Sequence, residues 1–182
     1  RQMTYGQLEI QVNQFGNALL ASGIRMEDRV AMLMLDTELY PVVFFGSIKT
    51  GAVPICLNTL MSPKDYLYFL NDSRARVLVV DDALYSNIEE IKPQLKFLEQ
   101  IILITSGETA PETISYEGFV DNQSDSLMPA PTCPDDACFW LYSSGSTGQP
   151  KGTVHLQHDM LASVETYGLQ VLKVRESDVC FS

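Results

Sequence analysis

Between an aromatic residue and a Lys-Gly pair the chain reads Tyr142-Ser143-Ser144-Gly145-Ser146-Thr147-Gly148-Gln149-Pro150-Lys151-Gly152. Residues 143–152 carry four hydroxyl side chains, three glycines and one lysine, directly after the apolar run Ala137-Cys138-Phe139-Trp140-Leu141. These residue types suit a polyphosphate. Glycine lets the backbone turn and approach a ligand closely, N–H and hydroxyl groups donate to phosphate oxygens, and the ammonium supplies positive charge. Pro150 stiffens the turn that presents Lys151. The run is not a Walker A loop. Counted from Gly145, the second glycine of that motif falls on Pro150, and Gly152 occupies the Ser/Thr slot. A dinucleotide fingerprint also fails, since Gly145 and Gly148 lack the first tight pair. Ser, Gly and Pro dominate ordinary turns as well, so composition alone leaves a plain surface loop as the alternative.

Other chemistry-bearing residues read as structural. Cys133, Cys138, His155 and His158 do not have zinc-finger spacing, and Cys138 falls in an apolar strand. Trp140 and Tyr142 alternate with Phe139 and Leu141, so one pair faces each side of a buried strand. Asp81-Asp82 and Glu89-Glu90 sit at a strand end and on a helix exterior, where solvated carboxylates and helix capping are expected.

The loop must be held by the elements around it, and these follow a repeated grammar. Thr4-x-x-Gln7 is a capping box. After it, Leu8, Val12, Phe15, Ala18 and Leu19 recur at helical spacing, which predicts a helix ending near Ser22-Gly23. Apolar runs over 30–35, 53–57, 76–80, 101–105 and 137–142 predict strands. Helices are expected over 38–50, with Gly51 as its C-cap glycine, and over 63–71, with Ser62 as cap and Pro63 at the first position. A weaker helical stretch over 82–98 contains Pro93, and 159–170 is a further helix candidate. Near-continuous apolar strands alternating with helices predict an α/β fold with a mostly parallel sheet and helices on both faces. Between 106 and 136 the pattern fades into a surface connection between α/β units. Only 116–120 there has the residues to anchor against a core.

Composition narrows the partners. The 182 residues include 12 basic and 23 acidic side chains, a formal charge of −11, and 46% are hydrophobic. Nucleic-acid grooves and anionic membrane surfaces want contiguous Lys and Arg, so neither is expected, although one loop can still hold a phosphate. No apolar run approaches the ~20 residues of a membrane span. Four cysteines are too few to staple this chain, which predicts a reducing, cytoplasmic setting. The opening at Arg1 and the apolar close at Val179-Cys180-Phe181-Ser182 read as a piece of a larger protein.

The loop resembles the signature of the adenylate-forming enzymes: acyl- and aryl-CoA synthetases, peptide-synthetase adenylation domains and luciferases. Tyr142 through Gly152 is similar to aromatic-Thr/Ser-Ser-Gly-Ser/Thr-Thr-Gly-x-Pro-Lys-Gly. Further landmarks similar to that family follow in its order: Met3-Thr4-Tyr5-Gly6-Gln7-Leu8, Gly23-Ile24, Asp28-Arg29-Val30-Ala31, Phe45 through Val53, and Asn71-Asp72-Ser73-Arg74-Ala75-Arg76-Val77-Leu78. Lys151-Gly152-Thr153-Val154-His155 and the closing residues look most like benzoate-CoA ligases. The resemblance implies that residues 1–182 are an incomplete N-terminal adenylation (AMP-binding) domain. The parent would be an ATP-dependent acid–thiol ligase acting on a carboxylic acid, with an aromatic acid such as benzoate as candidate. ATP, Mg²⁺ and coenzyme A would be its cosubstrates and cofactor.

Ser143, Ser144, Gly145, Ser146, Thr147, Gly148, Lys151 and Gly152 would line the phosphates, with Lys151 and Thr147 in the catalytic roles. Ser143 stands where many members have Thr. Gln157 stands where many carry His, with His158 beside it, so neither receives a role. The adenine and ribose motifs, the acidic Mg²⁺ ligand and the mobile C-terminal domain with its lysine are not in this chain, so the isolated piece is expected to be inactive. A non-catalytic α/β module that binds a nucleotide or anion is the competing reading.

Overall fold

A computed structural model describes residues 3–143 and 148–179. The first helix, α1 (Tyr5–Ala21), starts at the expected capping box: the Thr4 hydroxyl accepts the Gln7 N–H at 3.2 Å, and Gln7 Oε1 accepts the Thr4 N–H at 2.9 Å. It stops at Gly23, whose φ of 88° lets Ile24 N–H reach back to Leu19 C=O at 3.1 Å.

There follow β1 (Arg29–Leu33), α2 (Leu39–Lys49), β2 (Val53–Cys56), α3 (Pro63–Asp72), β3 (Val77–Asp81), α4 (Asp82–Glu89), β4 (Gln100–Ile104), β5 (Ile114–Ser115), α5 (Tyr116–Val120), β6 (Ala137–Ser143), β7 (Lys151–Leu156) and α6 (Gln157–Ser163). Helix α6 runs on as a π-helix over Val164–Leu172.

The strands form one sheet in the order β5-β4-β3-β1-β2-β6-β7, parallel from β5 to β6, with β7 antiparallel at the edge. Helices cover both faces. Alternation along each central strand divides the core. Ala31 and Leu33 of β1 and Leu78 and Val80 of β3 meet Tyr66, Phe69 and Leu70 of α3 and Ile88 of α4. Val30, Met32, Val77 and Val79 point the other way, onto Phe15 and Leu19 of α1, Val42 and Val43 of α2 and Phe119 of α5. This two-sided burial is why the strands read as continuous apolar runs.

The structure departs from the sequence expectation at several points. The helix after β3 ends at Glu89, because Pro93 cannot continue it; only a 3-10 turn, Lys92–Gln94, follows. Strand β6 is half-buried, with Cys138 its one buried residue, because only the exposed strand β7 lies beyond it. Lys151 and Gly152, expected as the end of the loop, open a strand that runs to Leu156. Asp81, expected as a solvated or helix-capping carboxylate, stands at the N-cap of α4 but makes no side-chain cap bond and is 8% exposed.

Candidate phosphate-handling site

The glycine-rich segment leaves the carboxyl end of β6 and returns as β7. Tyr142 pairs with Gly152 and Ser143 with Lys151. Strand β6 lies parallel to β2, with Ile55 opposite Trp140 and Cys56 opposite Leu141, so the turn emerges beside the carboxyl end of β2. In open α/β sheets that edge is where ligands bind. Ser144, Gly145, Ser146 and Thr147 lie outside the described residues. Of the remaining candidates, Ser143, Gly148, Lys151 and Gly152 are all exposed and come together at the two stems of the hairpin. Lys151 does not sit at a loop tip; it opens β7, where strand pairing places it directly across from Ser143.

Two of the glycines have distinct jobs. Gly148 has φ of 105°, with nothing within 4 Å of where a Cβ would stand, so it supplies backbone freedom at an open position. A Cβ at Gly152 would stand 3.4 Å from the Trp140 ring, ordinary contact that leaves strand pairing as the residue's main constraint.

Helix α3 forms the wall beneath the hairpin. The Tyr68 hydroxyl donates to Pro150 C=O at 3.0 Å, and the Tyr142 hydroxyl donates to Asp72 Oδ2 at 2.7 Å. The Tyr142 ring also packs at 4.4 Å on Phe69. Burial, followed by the hydrogen bond to Asp72, holds the Tyr142 phenol well above its ordinary pKa, so it remains a donor throughout the working range. A cavity of about 660 Å³ lies between α3 and the hairpin, lined by Lys64, Tyr68, Asn71, Asp72, Gly148 and Gln149 among others.

The sequence reading expected a helix over 63–71 but gave no role to Tyr68 or Asp72. Their spacing of four places them on one helix face, but only the return path of the hairpin shows what that face meets.

On the opposite side of β6, Phe139 stacks on His155 at 4.5 Å and meets Phe44 at 5.4 Å. Asp159 accepts the Leu156 N–H at 2.9 Å and lies within 3.4 Å of both histidines. That backbone hydrogen bond, followed by the histidines, holds the Asp159 carboxyl below the ordinary range. Cys138 is sealed in the sheet, and burial pushes its thiol up to about 11, which removes it as a nucleophile at neutral pH. Among the described residues no group of three His, Cys, Asp or Glu side chains is placed to hold a metal ion.

A strand, a glycine-rich turn and a lysine-bearing return strand at the carboxyl edge of a parallel sheet agree with what the whole chain matches. A family model described as AMP-binding enzyme covers residues 1–182. The chain belongs to the AMP-binding enzyme family. Within it, the chain is 42% identical over 180 residues to a benzoate–CoA ligase of Thauera aromatica, covering 98% of this chain and 33% of that protein. It is 36% identical over 182 residues to a 4-hydroxybenzoate–CoA/benzoate–CoA ligase of Rhodopseudomonas palustris, covering 100% of this chain and 33% of that one. The crystal structure of the anthranilate CoA ligase AuaEII in complex with anthranoyl-AMP superposes with a TM-score of 0.95 at 39% identity, over 98% of this chain and 34% of that chain. This AMP-binding chain thus spans about a third of the length of these relatives.

Proposed function

We propose that this chain is the phosphate-handling part of an ATP-dependent, AMP-forming ligase that joins an aromatic carboxylic acid to coenzyme A. The observation that carries the reading is the hairpin at the carboxyl edge of the sheet, which pairs Lys151 with Ser143 across its two strands in a member of the AMP-binding family. The aromatic acid is supported by the benzoate and hydroxybenzoate ligases among the relatives.

In the first half of the reaction a carboxylate oxygen bonds to the α-phosphorus of ATP and the bond to the β-phosphate oxygen breaks. An acyl adenylate forms and pyrophosphate leaves. In the second half the coenzyme A sulfur attacks the acyl carbon and AMP departs. The hairpin's work belongs to the first half. Lys151 offsets charge growing on the leaving pyrophosphate, while Ser143, Ser144, Ser146 and Thr147 donate hydroxyls to it. Gly145 and Gly148 let the backbone close around the oxygens, while Gly152 is held in the β6–β7 ladder. Such a loop contributes positioning and charge neutralisation, with no proton relay. Mg²⁺, which this reading implies, would lower the charge of the phosphates; among the described residues no three His, Cys, Asp or Glu side chains are grouped to hold it. The unpaired Cys56, Cys133 and Cys138 support a reducing compartment, and we place the protein in the cytoplasm.

The test uses the full-length protein and separates the two halves. Benzoate-dependent ATP–pyrophosphate exchange reports the first; AMP release from synthetic benzoyl adenylate and coenzyme A reports the second. Lys151→Ala is expected to depress exchange far more than thioester formation, with stability within the ~0.5 kcal/mol of a surface change. ATP binding without exchange on any aromatic or aliphatic acid would favour the non-catalytic module. Equal losses in both halves with a lowered Tm would make Lys151 structural.

A further inference from the structure

Both stems of the glycine-rich turn are tied to one helix. Going in, Tyr142 donates its hydroxyl to Asp72 at 2.7 Å; coming out, Pro150 offers its carbonyl to the Tyr68 hydroxyl at 3.0 Å. Tyr68 and Asp72 are four residues apart, so they stand one above the other on the same face of α3. The two tyrosine rings meet edge to face at 6.3 Å, joining the two ties.

The helix is in turn rooted in the core. Tyr66, Phe69 and Leu70 are buried against the sheet. Its start is locked by Ser62 and Asp65, which cap each other's backbone N–H groups at 3.4 and 3.0 Å. Asp72 is the last residue of α3, where a carboxylate opposes the helix dipole and is unfavourable for the helix itself. Its placement therefore answers to something other than helix stability, and the hydrogen bond from Tyr142 is what it makes there.

We propose that Tyr68 and Asp72 are positioning residues: α3 acts as a rigid clamp that holds both stems of the phosphate turn and so fixes where Lys151 stands. The inference rests on the ligase reading for its catalytic consequence, while the clamp itself is a physical property of the unliganded protein. Two substitutions probe it. Tyr68→Phe removes one hydroxyl and keeps the ring contact. Asp72→Ala removes the nearer acceptor for Tyr142 and leaves only the Phe69 C=O at 3.4 Å, whereas Asp72→Asn retains an oxygen that can accept the same bond.

The first readout needs no substrate: hydrogen exchange in the full-length protein at the amides of Gly148, Gln149 and Lys151. Tyr68→Phe should speed exchange there by about fivefold, the usual worth of one neutral hydrogen bond, and Asp72→Ala by at least as much, because its acceptor is a carboxylate. Asp72→Asn should lie closer to wild type than Asp72→Ala, and peptides from β1 and β3 should not change in any variant.

The second readout is catalytic. Tyr68→Phe should raise the KM for ATP in benzoate-dependent pyrophosphate exchange by about fivefold, leaving thioester formation from benzoyl adenylate within about twofold. A role confined to folding would instead slow both halves together and lower Tm. Unchanged exchange at residues 148–151 in both Tyr68→Phe and Asp72→Ala overturns the clamp. So does an equal loss in the two half-reactions. If the wild-type protein catalyses no carboxylate-dependent exchange, the ligase reading fails, and the amide measurement still decides the clamp.

Discussion

Asp81 closes β3 with a carboxylate that is 8% exposed and accepts the Leu35 N–H at 2.6 Å. The bond ties the carboxyl ends of β3 and β1 together, where the chain leaves each strand for a helix. Burial raises the Asp81 pKa above the ordinary carboxylate value, with the Leu35 bond opposing that shift. In the interval between the unfolded and folded values the native state therefore holds more proton than the unfolded one. The ionised side chain costs stability as pH rises through that interval. Asp81→Asn keeps an acceptor without the charge. Its stability relative to wild type should improve as pH climbs through the raised pKa and then level off. Asp81→Ala strands the Leu35 N–H and should lose about 1–3 kcal/mol at neutral pH. Urea denaturation of the three proteins across pH checks both statements; a gap between Asn and wild type that shrinks with rising pH would overturn the account of the charge. The sequence reading offered solvation or helix capping for this strand-end acid; Asp81 does stand at the N-cap of α4, but its carboxylate makes no cap bond and accepts from Leu35 instead. Nothing local shows that the second strand's exit passes over it.

Helices α1 and α2 touch through glycines. A Cβ on Gly46 would stand 2.8 Å from Phe15 Cδ1 and 3.1 Å from Val12 C=O. Phe15 cannot give way, since it is fully buried and packs between Tyr116 and Phe119 of α5, with centroids at 6.1 and 5.8 Å. Two effects then compete in Gly46→Ala. Alanine favours a helix interior by roughly 0.5–1 kcal/mol, and overpacking costs about 1–3 kcal/mol. Overpacking wins, so Gly46→Ala should lower stability by about 1–2 kcal/mol. Gly6→Ala, whose added methyl meets nothing within 4 Å, should be neutral or stabilising, and thermal melts of the pair decide between propensity and packing. Apolar periodicity foretold that α1 buries Val12, Phe15, Ala18 and Leu19. It could not foretell that Gly16 and Gly46 are contact residues, because their role depends on how closely two separate helices approach.

At the scale of the molecule, the chain covers 33% of the Thauera aromatica benzoate–CoA ligase. In the function proposed above, this chain would supply the sheet and the glycine-rich hairpin. Adenylation needs acid, adenine and phosphates held together, and that positioning carries much of the barrier reduction. The isolated 182 residues, incubated with ATP, Mg²⁺, coenzyme A and a panel of aromatic and aliphatic acids, should therefore release no AMP above background. AMP formation proportional to the concentration of this piece would mean that the hairpin and sheet suffice.

What the sequence determined by itself was whatever repeats at short range. Capping pairs, apolar strand runs and the Ser-Gly-Thr-Lys composition of 143–152 are local, and each places an element or names a chemistry without reference to a distant residue. The parallel sheet followed too, because strands buried on both faces leave no polar alternation. Tertiary structure decided the rest. Lys151 lies on a strand opposite Ser143, which the sequence did not show because residues 151–154 of that edge strand are exposed and carry little apolar signature. Tyr68 and Asp72 matter through partners 82 and 70 residues away. Contacts across such separations depend on how the sheet folds the chain back on itself, and no spacing within α3 encodes them.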